Sequence, residues 1–184
     1  MNTATPLIMW FGSKGYAAYR PYYSYFKELF CEGENLTLEA LANVKPRQVE
    51  VLLPDDTLQV DIRWIKAFFI QKLHCCNINL TFQSLYLSRV EKKYISLTKT
   101  CRCIVMKYIK QGNVIQESFL PLSSNKEEII DEIKQLHSEI VLGTTPLFII
   151  DHLDLFKVMG NMGKMVTASD ILANYKYIRA NCLE

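Results

Sequence analysis

Asp61, Glu117 and Asp151 are the carboxylates of this sequence placed for metal chemistry, each standing in or beside an apolar run. Carboxylates that project from neighbouring strands can hold two divalent cations and activate a water between them, which is the chemistry of metal-dependent nucleases. Each also has a plainer reading. Asp61 alternates with Val60 and Ile62 and so faces solvent, Glu117 belongs to the polar side of its strand, and Asp151 caps the helix that follows. His74, His137 and His152 are scattered, with no serine or cysteine nucleophile motif beside them, which argues against a hydrolytic triad. Glu127, Glu128, Asp131 and Glu132 read as the solvated start of a helix, favoured there by its dipole.

The six cysteines, at 31, 75, 76, 101, 103 and 182, lack the Cys-x2-4-Cys spacing that brings two thiolates to one tetrahedral zinc. Cys75 and Cys76 are adjacent, and Cys101 and Cys103 with His74 would form at best an irregular site, so reduced, packed thiols are the expectation. Gly160-Asn-Met-Gly163-Lys164 suggests a phosphate loop and fails it twice. Val158 stands where the first glycine of that motif belongs, and Met165 replaces the hydroxyl that would touch magnesium. Tyr16, Tyr19, Tyr22, Tyr23, Tyr25, Phe26 and Phe30, with Arg20 and Lys27, could stack bases, yet single-strand binders also need a charged groove. Aromatic packing with a short helix after Pro21 is the expected role. No catalytic, cofactor or metal residue is therefore assigned from the sequence.

The elements that must position any site are clearest between Lys93 and Asp151. Cys101–Ile109 and Val114–Leu120 are apolar runs that flank Gln111-Gly112-Asn113, where glycine can take the positive φ of a tight hairpin. Pro121 stops the pairing, Ser124-x-x-Glu127 forms a capping box, and Ile129, Ile130, Ile133, Leu136, Ile140 and Val141 repeat along one helix face. Gly143 should end that helix, before Pro146–Ile150 forms a strand buried on both sides.

Toward the amino terminus, Pro6–Phe11 reads as an edge strand and Leu36–Ala42 as a helix. Leu36–Leu53 has the outline of a helix-turn-helix, but Val49, Val51 and Leu53 alternate with Gln48, Glu50 and Leu52, and after Pro54-Asp55-Asp56-Thr57 the alternation resumes at Leu58, Val60 and Ile62. This predicts a second hairpin over 48–62, followed by a helix from Trp64 to Leu73. Ile78–Phe82, Leu85–Leu87 and Tyr94–Leu97 follow as strands. Leu153–Met159 should be a short helix, Gly160–Gly163 a turn, and Thr167-x-x-Asp170 the cap of a last helix reaching Arg179. Two subdomains are expected, 1–92 and 93–184, packed as one α+β body.

With 184 residues, 49% hydrophobic and 22% charged, the chain can fold without staples. Twenty-one basic against nineteen acidic residues leave no excess for a nucleic-acid footprint, so nucleic acid is not an expected partner. No run reaches the roughly 18 apolar residues that would span a bilayer, and no leader pattern opens the chain, which places it in the cytosol. Leu183-Glu184 matches a cloning-site dipeptide ahead of a purification tag, so the natural chain is expected to continue, with membrane association through a segment outside these residues.

The hairpin expected over Val49–Ile62, together with Gly112, Pro121-Leu122 and the helix expected over Asn125–Leu142, resembles the cytoplasmic actin-like domains of inner-membrane assembly proteins from type IV pilus and type II secretion machines. The resemblance covers residues 45 to 150, in pattern more than in identity. It implies an actin-like, ribonuclease-H-like fold of hairpin-plus-helix units and a non-catalytic scaffold on the cytoplasmic side of the bacterial inner membrane. Its partners would be the pilus assembly ATPase and the inner-membrane platform protein. Actin-like ATPases cradle phosphate on a hairpin with an Asp-x-Gly segment, and the corresponding Tyr94–Thr100 offers hydroxyls without aspartate or glycine. No cofactor is expected; the alternative is a metal-dependent nuclease or a nucleotide-binding protein of the same superfold.

Overall fold

The computed structural model describes residues 7–12, 15–21, 26–30, 47–89, 91–150, 152–167 and 170–171. The chain divides into two units, Met1–Phe82 and Gln83–Glu184, where the sequence placed the division at 92. Each unit carries a five-stranded sheet.

The first sheet is built from β1 (Leu7–Gly12), β2 (Gly15–Pro21), β3 (Phe26–Phe30), β4 (Gln48–Leu53) and β5 (Asn77–Phe82), in the order β3-β2-β1-β4-β5. β1, β2 and β3 form an antiparallel meander, while β4 and β5 run parallel to β1. Parallel strands need a crossover, and α1 (Gln59–Leu73) supplies it between β4 and β5. Val49, Val51 and Leu53 share a core with Phe69 and Leu73 of that helix, whereas Leu52 is buried on the opposite side of the sheet. Burial on both faces is why Leu52 is apolar like its neighbours Val51 and Leu53.

Several expectations change here. The hairpin over 48–62 is a strand followed by a helix. Thr57 closes a turn through its N–H and hydroxyl to Pro54 O, at 3.1 and 2.7 Å, and the helix begins at Gln59. Leu58 and Val60, which suggested a buried strand side, are each 54% exposed, while Ile62 joins Ile65, Phe68, Phe69 and Leu73 as a helical stripe. β1 is central in its sheet, not an edge, consistent with burial of the consecutive residues Ile8 and Met9. Phe26–Phe30, expected within a helix, pairs with β2 as a strand, in keeping with the β preference of aromatic residues. The helix expected at Leu36–Ala42 lies outside the described residues.

The second unit opens with a 3-10 segment, Gln83–Arg89, in place of the strand expected at Leu85–Leu87. β6 (Lys93–Lys99), β7 (Ile104–Lys110) and β8 (Asn113–Leu120) follow as an antiparallel meander, then β9 (Leu147–Ile150) and β10 (Lys164–Val166) parallel to β6. The order β10-β9-β6-β7-β8 repeats that of the first sheet, strand for strand. α2 (Lys126–Leu136) joins β8 to β9, and α3 (Leu153–Met159), with a 3-10 turn at Gly160–Met162, joins β9 to β10.

The β7–β8 turn has Gln111 at φ 52 and Gly112 at φ 80, so the glycine does what the sequence asked of it. The capping box sits one residue later than expected. Asn125 Oδ1 accepts from Glu128 N and Asn125 N donates to Glu128 Oε2, both at 3.0 Å, because Ser124 N is already used in a turn to Pro121 O. α2 also stops early, at Leu136 rather than Leu142. His137 leaves the helix with φ −161, and Ile140 and Leu142 reach the same core from the loop. Ile129, Ile133 and Leu136 pack there against Ile95, Leu97, Ile104, Met106, Leu147 and Ile149. Thr167 and Asp170 form the expected box, with Thr167 N to Asp170 Oδ2 at 2.8 Å and Asp170 N to Thr167 Oγ1 at 3.3 Å. The body of the last expected helix lies outside the described residues.

Candidate functional site

The repeated topology singles out the first hairpin of each unit as the place where this architecture could meet a phosphate. In the second unit that hairpin joins β6 to β7, and its turn, Thr100-Cys101-Arg102-Cys103, is closed on itself. Thr100 Oγ1 accepts from Arg102 N at 3.1 Å and from Cys103 N at 3.2 Å, and Thr100 N donates to Cys103 O at 2.9 Å. Amides that could cradle an oxyanion are thus already engaged with the threonine. Along β6 the other hydroxyls turn inward: Tyr94 OH donates to Ser84 O, and Ser96 and Thr98 are buried. In the first unit the hairpin closes with Gly12 opposite Gly15. Glycines allow close backbone approach, yet Trp10-Phe11-Gly12-Ser13 contains no acidic residue to orient a metal-bound phosphate.

A polar row crosses the second sheet on the face away from α2. Ser96, Lys107 and Glu117 are register partners on β6, β7 and β8. Lys107 is only 3% exposed, with its Nζ 3.7 Å from Glu117 Oε2. Glu117 is therefore the counter-ion of a buried lysine, a more specific role than the polar strand side expected. Asp61 lies in the first turn of α1, not on a strand, and Asp151 lies outside the described residues. His74 ends α1 in the left-handed region, His137 Nδ1 accepts from Glu139 N at 3.1 Å, and His152 Nδ1 caps α3 by accepting from Leu155 N at 3.2 Å. Each histidine sits at a helix end. Cys75 is buried, and that burial, with Cys76 next to it, pushes its thiol up, away from nucleophile behaviour. Among the described residues no three His, Cys, Asp or Glu side chains gather as metal ligands.

The two glycines of the failed phosphate loop have a conformational and a packing role respectively. Gly160 takes φ +58 after α3, and Gly163 lies against β9, where an added Cβ would come 2.8 Å from Ile149 Cδ1 and 3.3 Å from Leu147 Cδ2. Gly163→Ala is expected to lower stability by about 1–2 kcal/mol, through overlap alone since its φ is ordinary. Shortening the neighbour in Gly163→Ala/Ile149→Val should recover part of that loss. Urea unfolding of the two single variants and the double variant measures the coupling.

A titratable cluster among the described residues ties the loop after α2 to the ends of β6 and β7. Glu139 Oε2 accepts from Tyr108 OH at 3.0 Å and from Lys110 Nζ at 3.0 Å, while Lys93 Nζ donates to Glu139 O at 3.0 Å. His137 lies beside the Tyr108 ring, with centroids 4.9 Å apart. The hydrogen bond from Lys110, then that from Tyr108, holds the Glu139 carboxyl below the usual carboxylate range. Burial, followed by the same carboxylate, pushes Tyr108 up to about 12. Neither residue was singled out in the sequence, where they stand far apart. A depressed carboxylate contributes stability above its unfolded pKa and loses it as pH falls through the folded value. A raised tyrosine contributes below its unfolded pKa of about 10 and loses it as pH climbs through about 12. Glu139→Gln should flatten the acid limb of a stability–pH profile and bring the Tyr108 phenol titration down; urea midpoints across pH and absorbance of the phenolate check both.

No family model and no curated protein sequence matches the chain. Solved structures do. A protein of Porphyromonas gingivalis described as an N-acetylglucosamine kinase superposes with a TM-score of 0.61 at 9% identity, over 96% of this chain and 99% of that one. The ethanolamine utilization protein EutJ of Carboxydothermus hydrogenoformans gives 0.55 at 7% identity, over 95% and 88%. A Bacteroides thetaiotaomicron protein with an actin-like ATPase fold and unknown function gives 0.51 at 11% identity, over 94% and 95%. The chain has an actin-like fold of the α+β class, and these identities speak to fold alone. None of these neighbours is described as a pilus or secretion protein, and they include one described as an enzyme and one of unknown function.

Proposed function

We propose that this protein is a non-catalytic scaffold on the actin-like fold. It docks the cytoplasmic assembly ATPase of a type IV pilus, or of a related type II secretion machine, to the platform protein of the bacterial inner membrane, on its cytoplasmic side. The observation that carries the reading is the β6–β7 turn, whose amides are engaged with Thr100 and whose strands lack the aspartate and glycine that phosphate chemistry would use. The sequence resemblance over residues 45–150 supplies the partners. Mixing the purified chain with the assembly ATPase and, separately, with the platform protein's cytoplasmic segment tests this. Co-elution as a stable complex with at least one is expected; separate elution from both would overturn the reading.

The paired glycines of the β1–β2 hairpin favour nucleotide binding as the second reading. It predicts saturable ATP binding with release of phosphate. The nuclease version predicts manganese-dependent cleavage lost in Asp151→Asn.

A further inference from the structure

Helix α1 carries apolar residues on two sides. Ile62, Ile65, Phe69 and Leu73 turn inward onto the first sheet. At about 100° per residue, Val60, Trp64, Ala67 and Ile70 fall on the opposite side within an arc of about 120°. Val60 and Ile70 are each 54% exposed and Trp64 is 72% exposed, with Leu58 bared just ahead of the helix. A helix with two apolar faces is ordinarily buried on both, so the outer stripe calls for a covering surface.

Charge identifies the surface. At the same spacing Arg63 falls inside that arc between Ile70 and Ala67, Gln71 falls between Val60 and Trp64, and Lys66 lies about 40° beyond Ile70. Arg63 and Lys66 are exposed and neither makes an ion pair among the described residues. Asp61, the acidic residue of α1, lies off the stripe. A ridge of Val60, Trp64 and Ile70 with Arg63 among them and Lys66 at one border has the composition of a helix that lies in a lipid interface. Long basic side chains there keep their charge at the phosphates while their stems follow the apolar surface. No helix of the described residues is long and apolar enough to cross a membrane.

We propose that α1 docks the protein on an anionic phospholipid surface, with Val60, Trp64 and Ile70 entering the headgroup boundary and Arg63 and Lys66 meeting lipid phosphates. The full chain should co-sediment with vesicles of equimolar phosphatidylglycerol and phosphatidylcholine, and tryptophan emission should shift to the blue. Binding should fall by about tenfold or more in Trp64→Ala, in Arg63→Glu/Lys66→Glu and at high salt. These positions are exposed, so the variants should keep the wild-type melting temperature. Equal binding to pure phosphatidylcholine, or variants that bind like wild type, would overturn the proposal. So would a wild type that ignores vesicles; burial of Trp64 by the assembly ATPase instead would mark the stripe as a protein interface. The ATPase-docking test is run without lipid, so the two readings fail separately.

Discussion

Ile133→Ala is expected to remove about 3–4 kcal/mol of stability, the larger part of what a unit of this size has to spare. Ile133 is 0% exposed and stands at the middle of α2, where it meets the inner faces of β6, β7 and β9. Truncation there loses the transfer free energy of the deleted methylenes. It also leaves a cavity between a helix and a sheet that are both held by further contacts, so neither can relax far into it. Glu127→Ala, on the exposed side of the first turn of α2, should by contrast stay within about 0.5 kcal/mol. Because the chain has two units, the loss should be read from hydrogen exchange of the β6–β9 amides as well as from urea unfolding.

Glu117→Ala is expected to cost about 2–3 kcal/mol, and Lys107→Met close to nothing. The two sides of one ion pair differ because one is buried and the other is not. Lys107 is 3% exposed and Glu117 48%, with 3.7 Å between the charged atoms. Removing the carboxylate leaves an ammonium in a site of low dielectric with part of its compensation gone. Replacing lysine by methionine removes the buried charge and keeps the volume, while the freed glutamate turns to water. The asymmetry also separates two functional readings. If Glu117 held a catalytic metal, Glu117→Gln would abolish activity while leaving stability nearly unchanged. As the counter-ion of Lys107, the same change should appear in unfolding curves. Paired urea titrations of Glu117→Ala, Glu117→Gln and Lys107→Met decide.

The second unit was legible because local signals agreed there. Gly112 marked the hairpin, Pro121 its end, the isoleucines the buried side of α2, and the all-apolar Leu147–Ile150 a strand covered on both faces. The misreadings have physical causes of the same kind. Pro54-Asp55-Asp56-Thr57 suits a hairpin turn or the entry to a helix equally well, and α1, apolar on two faces, showed alternation where a one-sided helix would have shown its period. The early stop of α2 goes with Glu139 being held by Lys110 and Tyr108, contacts across 29 and 31 residues of sequence that no local pattern reveals. Lys107 left one trace, a lone charge in the apolar run Ile104–Ile109. Its partner follows from the hairpin register only once the irregularity between Tyr108 and Ile109 is known.

The closed β6–β7 turn makes nucleotide the decisive ligand. Calorimetric titration of the full chain with magnesium-ATP, with phosphate release followed in the same samples, should give no saturable heat and no turnover. Stoichiometric binding accompanied by hydrolysis would contradict a docking role and return the protein to the ATPases whose fold it shares.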